Sequence, residues 1–371
     1  MELTVKKTDL VKELSLGQGV IERKSTIPVL ANVLVEAEGE EISLTVTDLE
    51  LGIRTSCPAT VVREGTTTIP ARRLLDYVRL LPDAELAVKT LENDSVSLVC
   101  GRSKTRIAGM SRENFPELPN MPPTLTKIPA ALLVNAISKT IFAIAGEESR
   151  YTLTGSLLLI KEASLAMVTT DGHRLAYVEI KHPFEGIDGE WRALLPRKAM
   201  AELLKLATEG GDAMTVDFSN DENHLFFQCG HRLLISRKLT GQFPDYERVL
   251  PAEASRSVIL NREEAAAAIR RVAQFADDRS HAIRLEVRSG ELVLSSSASE
   301  VGESEESVAV EYSGETIKIG FNSQYLLDFL GVVDSENIQL QFASEESAGQ
   351  LRVEPAEEGL DYRYVVMPMR V

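Results

Sequence analysis

Three segments of this 371-residue chain pass in the same way from an apolar strand end into a helix. They begin at residues 69, 195 and 319, and so lie 126 and 124 positions apart. The first reads Ile69-Pro70-Ala71-Arg72-Arg73-Leu74-Leu75, the second Leu195-Pro196-Arg197-Lys198-Ala199-Met200. The third reads Ile319-Gly320-Phe321-Asn322-Ser323-Gln324-Tyr325-Leu326-Leu327. A fixed period decides architecture before any local pattern does, because every copy must fold as the same unit. Other landmarks keep the same order. A helix is expected near each unit's start, over residues 9–16, 130–145 and 262–275, with Asn261 suited to cap the last. Strand pairs follow, residues 29–36 with 42–47 and 157–160 with 165–170. Each copy closes on a proline-bearing segment: Phe115-Pro116, Phe243-Pro244 and Met367-Pro368.

The expectation is an α+β fold made of three tandem copies of one module. Each module has two helices and roughly eight short, mostly antiparallel strands. The proline-rich residues 119–123 and the stretch 251–257, which opens on Pro251, place the joints, giving domains 1–121, 127–252 and 253–371. Each is long enough to bury a core of its own.

A second repeated feature is a Thr-Asp pair at a strand end. Thr47-Asp48-Leu49-Glu50-Leu51 and Thr170-Asp171-Gly172-His173-Arg174 lie 123 positions apart, counted from Asp48 to Asp171. A worn third copy runs through residues 292–297, with Ser297 near the aspartate position. Gly172 suits a turn or bulge because it has no Cβ and tolerates positive φ. Asp171 and His173 form the one pair that resembles catalytic machinery, which keeps a hydrolase or nucleotide-processing reading open. The sibling turn carries Glu50 in place of the histidine, so the bland reading is that Asp171 satisfies turn amides while His173 packs or meets a partner.

Other enzymatic signals fail. The chain contains no Gly-Lys dipeptide and hence no P-loop. Gly17-Gln18-Gly19 does not complete a dinucleotide fingerprint, the five histidines form no metal-type pair, and there is no GxSxG elbow. No catalytic residues, metal or cofactor are expected. Cys57, Cys100 and Cys229 read as reduced thiols of a cytoplasmic protein. No apolar run approaches membrane-spanning length, and the strand-like start has no signal-peptide core behind it.

The net charge of −16 at first argues against nucleic acid, but the charge is unevenly spread. Residues 254–371 carry 11 basic against 21 acidic side chains, with Lys318 as the sole lysine there. Cations gather instead on the expected helices of the first two copies. Arg72-Arg73 and Arg197-Lys198 occupy equivalent places, which points to one shared basic surface suited to phosphates. A basic cluster of Arg102, Lys104 and Arg106 on an expected strand faces its complement in Glu300, Glu303, Glu305 and Glu306. Opposite charges at the two ends of a chain suggest a head-to-tail contact between two copies.

At this point the residues carry a specific likeness. TIPVLANVLVEAE (26–38), TDLELGI (47–53), IPARRLLDYVRLLP (69–82), RYTLTGSLL (150–158) and TTDGHRLA (169–176) match in order. LPRKAMAELLKL (195–206), FPDYERVLP (243–251) and YVVMPMRV (364–371) complete the set. Over essentially its whole length the chain resembles the bacterial sliding-clamp family, the beta subunits of DNA polymerase III. The resemblance implies a non-catalytic homodimer, a head-to-tail ring of six similar domains that encircles double-stranded DNA whatever its sequence. Implied partners are the replicative DNA polymerase, an ATP-driven clamp loader, and translesion and repair proteins that dock through a short peptide motif. The implied peptide pocket comprises Leu153, Thr170, Gly172, His173, Arg174, Leu175, Pro244, Arg248, Val249, Val365, Val366, Met367, Pro368, Met369 and Arg370. Implied DNA contacts are Arg23, Lys24, Arg150 and Tyr151, beside the helix cations Arg72, Arg73, Arg79, Arg197 and Lys198. The basic and acidic clusters match the family's joint between protomers, with Phe275 or Val272 as an apolar contact there.

Overall fold

The computed structural model describes residues 1–21, 26–146, 148–211, 213–251, 255–298 and 302–370. Six strand-to-helix steps dominate it. Glu2–Lys6 leads into α1 (Lys7–Leu16), Gly65–Pro70 into α2 (Ala71–Leu80), and Thr126–Pro129 into α3 (Ala130–Ser138). Glu190–Pro196 leads into α4 (Arg197–Glu209), Arg256–Asn261 into α5 (Arg262–Ala273), and Ile317–Asn322 into α6 (Ser323–Val332). Two such steps fall in each expected copy. Helical spacing chooses the buried face: α2 buries Leu74, Leu75 and Val78 while Arg72, Arg73 and Arg79 stay exposed. Asn261 caps α5 as expected, its side chain accepting from the Glu263 and Glu264 amides at 3.1 Å each.

Some expected boundaries move. The helix expected over residues 130–145 stops at Ser138 and is followed by a 3-10 turn at Ile141–Ala143. The Thr140 hydroxyl, 2.7 Å from the Ala136 carbonyl, competes for that last turn. Likewise α5 stops at Ala273, short of Phe275. The strand expected from residue 29 begins at Asn32, because Pro28–Ala31 forms a 3-10 turn around a proline that has no amide to give.

The chain divides into two compact units that cut through its middle third: Met1–Val134 with Lys198–Lys238, and Asn135–Arg197 with Leu239–Val371. In the first unit a 12-stranded sheet has Ser103–Ala108 at one end and Thr126–Pro129 at the other. Its long strand Leu51–Arg63 pairs with Glu2–Lys6 through its later residues and with Arg232–Arg237 through its first, Leu51 opposite Ser236. In the second unit an eight-stranded sheet joins Arg174–Lys181 to Leu360–Val366, Leu175 opposite Val365. A separate four-stranded sheet ends on Gly302–Ala309. Every pairing between these strands is antiparallel, and Leu, Ile, Val and Phe make up most of the apolar residues they bury.

The first unit also buries a charge cluster. Glu13 on α1 receives two bonds from Arg232, at 2.9 and 2.7 Å, and one from the Thr55 hydroxyl; Arg232 reaches Glu209 as well, at 2.7 Å. Burial pushes the Glu13 carboxyl up, but Arg232 and Thr55 more than offset it and hold the group below the ordinary glutamate range.

Candidate functional site

The two Thr-Asp turns are built bond for bond alike. At the first, the Thr47 hydroxyl donates to the Leu51 carbonyl and accepts from the Leu49 amide, both at 3.0 Å. Asp48 Oδ1 accepts from the Glu50 and Leu51 amides at 2.9 and 2.7 Å. At the second, Thr170 serves the Arg174 carbonyl and the Gly172 amide at 2.6 and 3.0 Å, and Asp171 Oδ1 serves the His173 and Arg174 amides at 2.9 and 3.0 Å. The carboxylate that could have been a catalytic base is thus a turn former. A strand from further along the chain docks on each turn in the same way: Arg237 donates its amide to the Glu50 carbonyl, and Met367 to the His173 carbonyl, at 2.8 Å each.

Beside the second turn lies an apolar cavity of about 120 Å³, lined by Leu153, Thr170, Gly172, Arg174, Leu175, Pro244, Tyr246, Val249, Val365 and Met367. Its floor is a buried cluster that includes Leu153, Leu175, Tyr177, Phe243 and Val365. Met367 is exposed at the rim. Nine of the expected pocket residues therefore line one cavity. The other six do not line it. Val366 is buried in the sheet opposite Arg174; Pro368 is half-buried, and the Met369 amide after it donates to the Gly320 carbonyl at 2.8 Å. Exposed Arg248 pairs with Asp245 at 2.8 Å, and His173 is exposed on the turn. Arg370 belongs to a separate polar cleft with Arg284, Glu303 and Glu305.

Arg174 lines the cavity with its guanidinium already engaged. Nε donates to Asp171 Oδ2 at 3.0 Å, Nη1 to Asp328 Oδ2 at 2.5 Å, and Nη2 to the Phe142 carbonyl at 2.6 Å, with Cζ 4.3 Å from the centre of the Tyr325 ring. Burial alone would lower its pKa, but Tyr364, Asp328 and Asp171 outweigh that and raise it. The cavity therefore presents apolar surface and a neutralised cation, which suits an apolar side chain.

The expected DNA contacts separate into distinct situations. Arg72, Arg73 and Arg79 project from α2, with Arg79 3.0 Å from the Ser15 hydroxyl. Tyr151 and Arg197 are exposed. Lys198 is engaged within the protein, bonded to Asp48 and, at 2.9 Å, to the Val20 carbonyl. Arg23, Lys24 and the side chain of Arg150 lie outside the described residues, as does Glu300.

At the expected protomer joint, Lys104 and Arg106 sit on the terminal strand of the 12-stranded sheet, and Arg102 in the turn before it. Glu303 and Glu305 sit on the terminal strand of the four-stranded sheet. Glu306 instead holds Arg271 of α5 through two bonds of 2.8 Å. Val272 has no exposed surface and is core, whereas Phe275 is half-buried.

Comparison with known proteins decides the family. Residues 1–119, 127–245 and 247–370 match the N-terminal, central and C-terminal domains of the DNA polymerase III beta subunit. The chain is 35% identical over 377 residues to the beta sliding clamp of Pseudomonas putida, and 35% over 378 residues to that of Caulobacter vibrioides, each match covering both chains completely. It superposes on the Pseudomonas aeruginosa sliding clamp with a TM-score of 0.92 at 34% identity, again over all of both chains. For the Bartonella birtlesii clamp bound to griselimycin the TM-score is 0.94 at 34% identity, with the same coverage. The chain belongs to the sliding-clamp family. Within this clamp, sequence reasoning missed two residues of the cavity region. Tyr246 forms one wall and stacks on Tyr177, ring centroids 5.8 Å apart and planes 23° from parallel. Asp328 holds Arg174 from α6. Tyr246 carried a signal, an aromatic residue inside FPDYERVLP; Asp328, on a helix far along the chain, carried none.

Proposed function

We propose that two copies of the chain close head to tail into a ring around duplex DNA and slide along it, tethering the replicative polymerase without catalysing a reaction. The observation that carries the partner side of this reading is the apolar cavity beside the Thr170–Asp171 turn, a receptacle for one side chain of a short peptide motif. Polymerase, clamp loader, and translesion and repair proteins would compete for it. The Bartonella birtlesii clamp, which shares this fold, has been crystallised with griselimycin bound, so a clamp of this shape accepts such a ligand. Modules 1–121, 127–252 and 253–371 supply the repeating units. The terminal strands support closure: Ser103–Ala108 carries Lys104 and Arg106, while Gly302–Ala309 carries Glu303 and Glu305, so each edge repels its own kind and attracts the other. Arg72, Arg73, Arg79, Arg197 and Tyr151, with Arg23, Lys24 and Arg150, would meet phosphates weakly and without sequence preference, as sliding requires. With no P-loop in the sequence, an external ATPase must open the ring. The buried thiols fit a reducing cytoplasm.

Retention on DNA tests this reading. The protein is loaded onto nicked circular plasmid with a bacterial clamp loader and ATP, half of the sample is linearised, and both halves are passed over a sizing column. Co-elution with circles and loss from linear DNA is the expected result. Equal retention on both means ordinary affinity binding and removes the ring.

A further inference from the structure

Arg174 is held from two sides, and the second side is α6. Asp328, which receives Arg174 Nη1, is itself aligned by Gln324 one turn earlier, whose Nε2 donates to Asp328 Oδ1 at 2.7 Å. Tyr325 of the same helix lays its ring against the guanidinium, and its carbonyl accepts the Tyr364 hydroxyl at 3.0 Å. Tyr364 lies on Leu360–Val366, the strand that contributes Val365 to the cavity. One face of α6 therefore fixes both the turn that forms one wall of the cavity and the strand that forms another.

The comparison with the first turn shows why an acid is needed at this place. There the turn carboxylate, Asp48, is bound directly by a lysine, Lys198 of α4. At the second turn the cation is Arg174, on the turn's own strand; Asp171 receives its Nε and the Phe142 carbonyl its Nη2. Without a further acceptor Nη1 would keep only a 3.4 Å contact to the Tyr364 hydroxyl, and a bond left unmade on a buried guanidinium is costly. Asp328 supplies that acceptor.

We infer that Asp328 is a positioning residue of the cavity: from α6 it holds Arg174 against the Thr170–Asp171 turn, so that the ligand meets an apolar wall with no free charge. This rests on the reading that the cavity receives partner peptides. Two consequences follow. Recognition draws no anchoring charge from Arg174, so affinity for an uncharged apolar ligand varies little with salt. The cavity is shaped only while α6 is docked, so disturbing the helix is felt by the ligand without any contact to it.

Calorimetric titration of the full-length chain with griselimycin tests the assignment, with wild type, Asp328→Asn, Asp328→Glu and the exposed Gln324→Ala. Asp328→Asn is expected to weaken binding about tenfold, a loss of about 1.4 kcal/mol, Gln324→Ala about threefold, and Asp328→Glu less than either. In an Arg174→Met background Asp328→Asn should cost nothing further, because the two act as one unit; a residue that merely stabilised the fold would weaken binding in both backgrounds. Asp328→Asn and Gln324→Ala binding like wild type, or the same tenfold loss without Arg174, would overturn the inference. Wild type failing to bind would bring down the cavity reading itself and this assignment with it.

Discussion

Tyr246→Ala gives the sharpest test of the cavity, because its ring forms one of the walls. A ligand side chain that covers one face of the phenol removes roughly 50 Å² of apolar surface from water on each partner, worth about 1.3 kcal/mol per partner at 25 cal/mol per Å². Deleting the ring loses the protein's share and wets some or all of the ligand's, so the total lies between about 1.3 and 2.5 kcal/mol. That corresponds to a Kd raised about 8- to 70-fold. Tyr246→Phe keeps the wall and should bind within about twofold of wild type. Burial, reinforced by Glu247 and Glu190, pushes the Tyr246 phenol up to about 12, so the group is neutral at working pH and affinity should stay flat from pH 6 to 9 as far as this residue is concerned. Titration of both variants with griselimycin, alongside thermal melts, makes the comparison. Loss of the stack on Tyr177 lowers stability by about 0.5–1.5 kcal/mol, which the melts separate from the binding effect. A folded Tyr246→Ala protein with unchanged Kd would show that the ligand does not use this cavity.

Other expectations concern the rest of the molecule. Glu13→Gln leaves Arg232 short of its main partner and should cost about 3 kcal/mol in denaturant unfolding, whereas Glu13→Leu with Arg232→Met should cost clearly less. The folded Glu13 pKa lies below its unfolded value, so this pair's stabilisation is complete above the ordinary value of 4.5 and is lost as pH falls through the lowered one; a pH series on wild type and the double variant reads the difference. Burial pushes the Cys57 and Cys229 thiols up to about 12, so a thiol reagent at pH 8 should label neither until the protein unfolds. Replacing Lys104 and Arg106 by glutamate puts like charge on both terminal strands, and light scattering should then report the single-chain mass where wild type reports two chains; an unchanged mass would refute strand-edge closure.

The period was the legible part of this fold, and the Thr-Asp pair shows why. Its hydrogen bonds are local, made within five residues, so the residue types carry the turn with them wherever they recur. The glycine that suggested the turn is not what makes it. Leu49 holds φ +80° at the place where Gly172 holds +90°, so the threonine and aspartate bonds are sufficient to keep a leucine left-handed. The cavity was legible only in part. Its walls come from a turn, a linker and a closing strand far apart in sequence, and no period links Tyr246 or Asp328 to Arg174.

Runs of like charge were the least legible feature, for a geometric reason. Adjacent helix residues point about 100° apart, so Arg197 and Lys198 cannot serve one surface equally. Arg197 is exposed, and Lys198 turns back to Asp48. Strands divide a run more cleanly, since successive side chains take opposite faces. Glu303 and Glu305 share a face of the terminal strand, while Glu306 turns to Arg271 on α5. Val272 likewise lies on the core side of α5, while Phe275, just past that helix, is half-buried. A charge cluster read as one patch therefore has to be thinned by the period of the element that carries it. Here that leaves Arg197 on α4 and Glu303 and Glu305 on the edge strand, while Lys198 and Glu306 serve the fold. Alanine at Arg197 should accordingly weaken DNA retention with little change in stability, and alanine at Lys198 should do the reverse. Equal losses of DNA retention from the two would contradict this division.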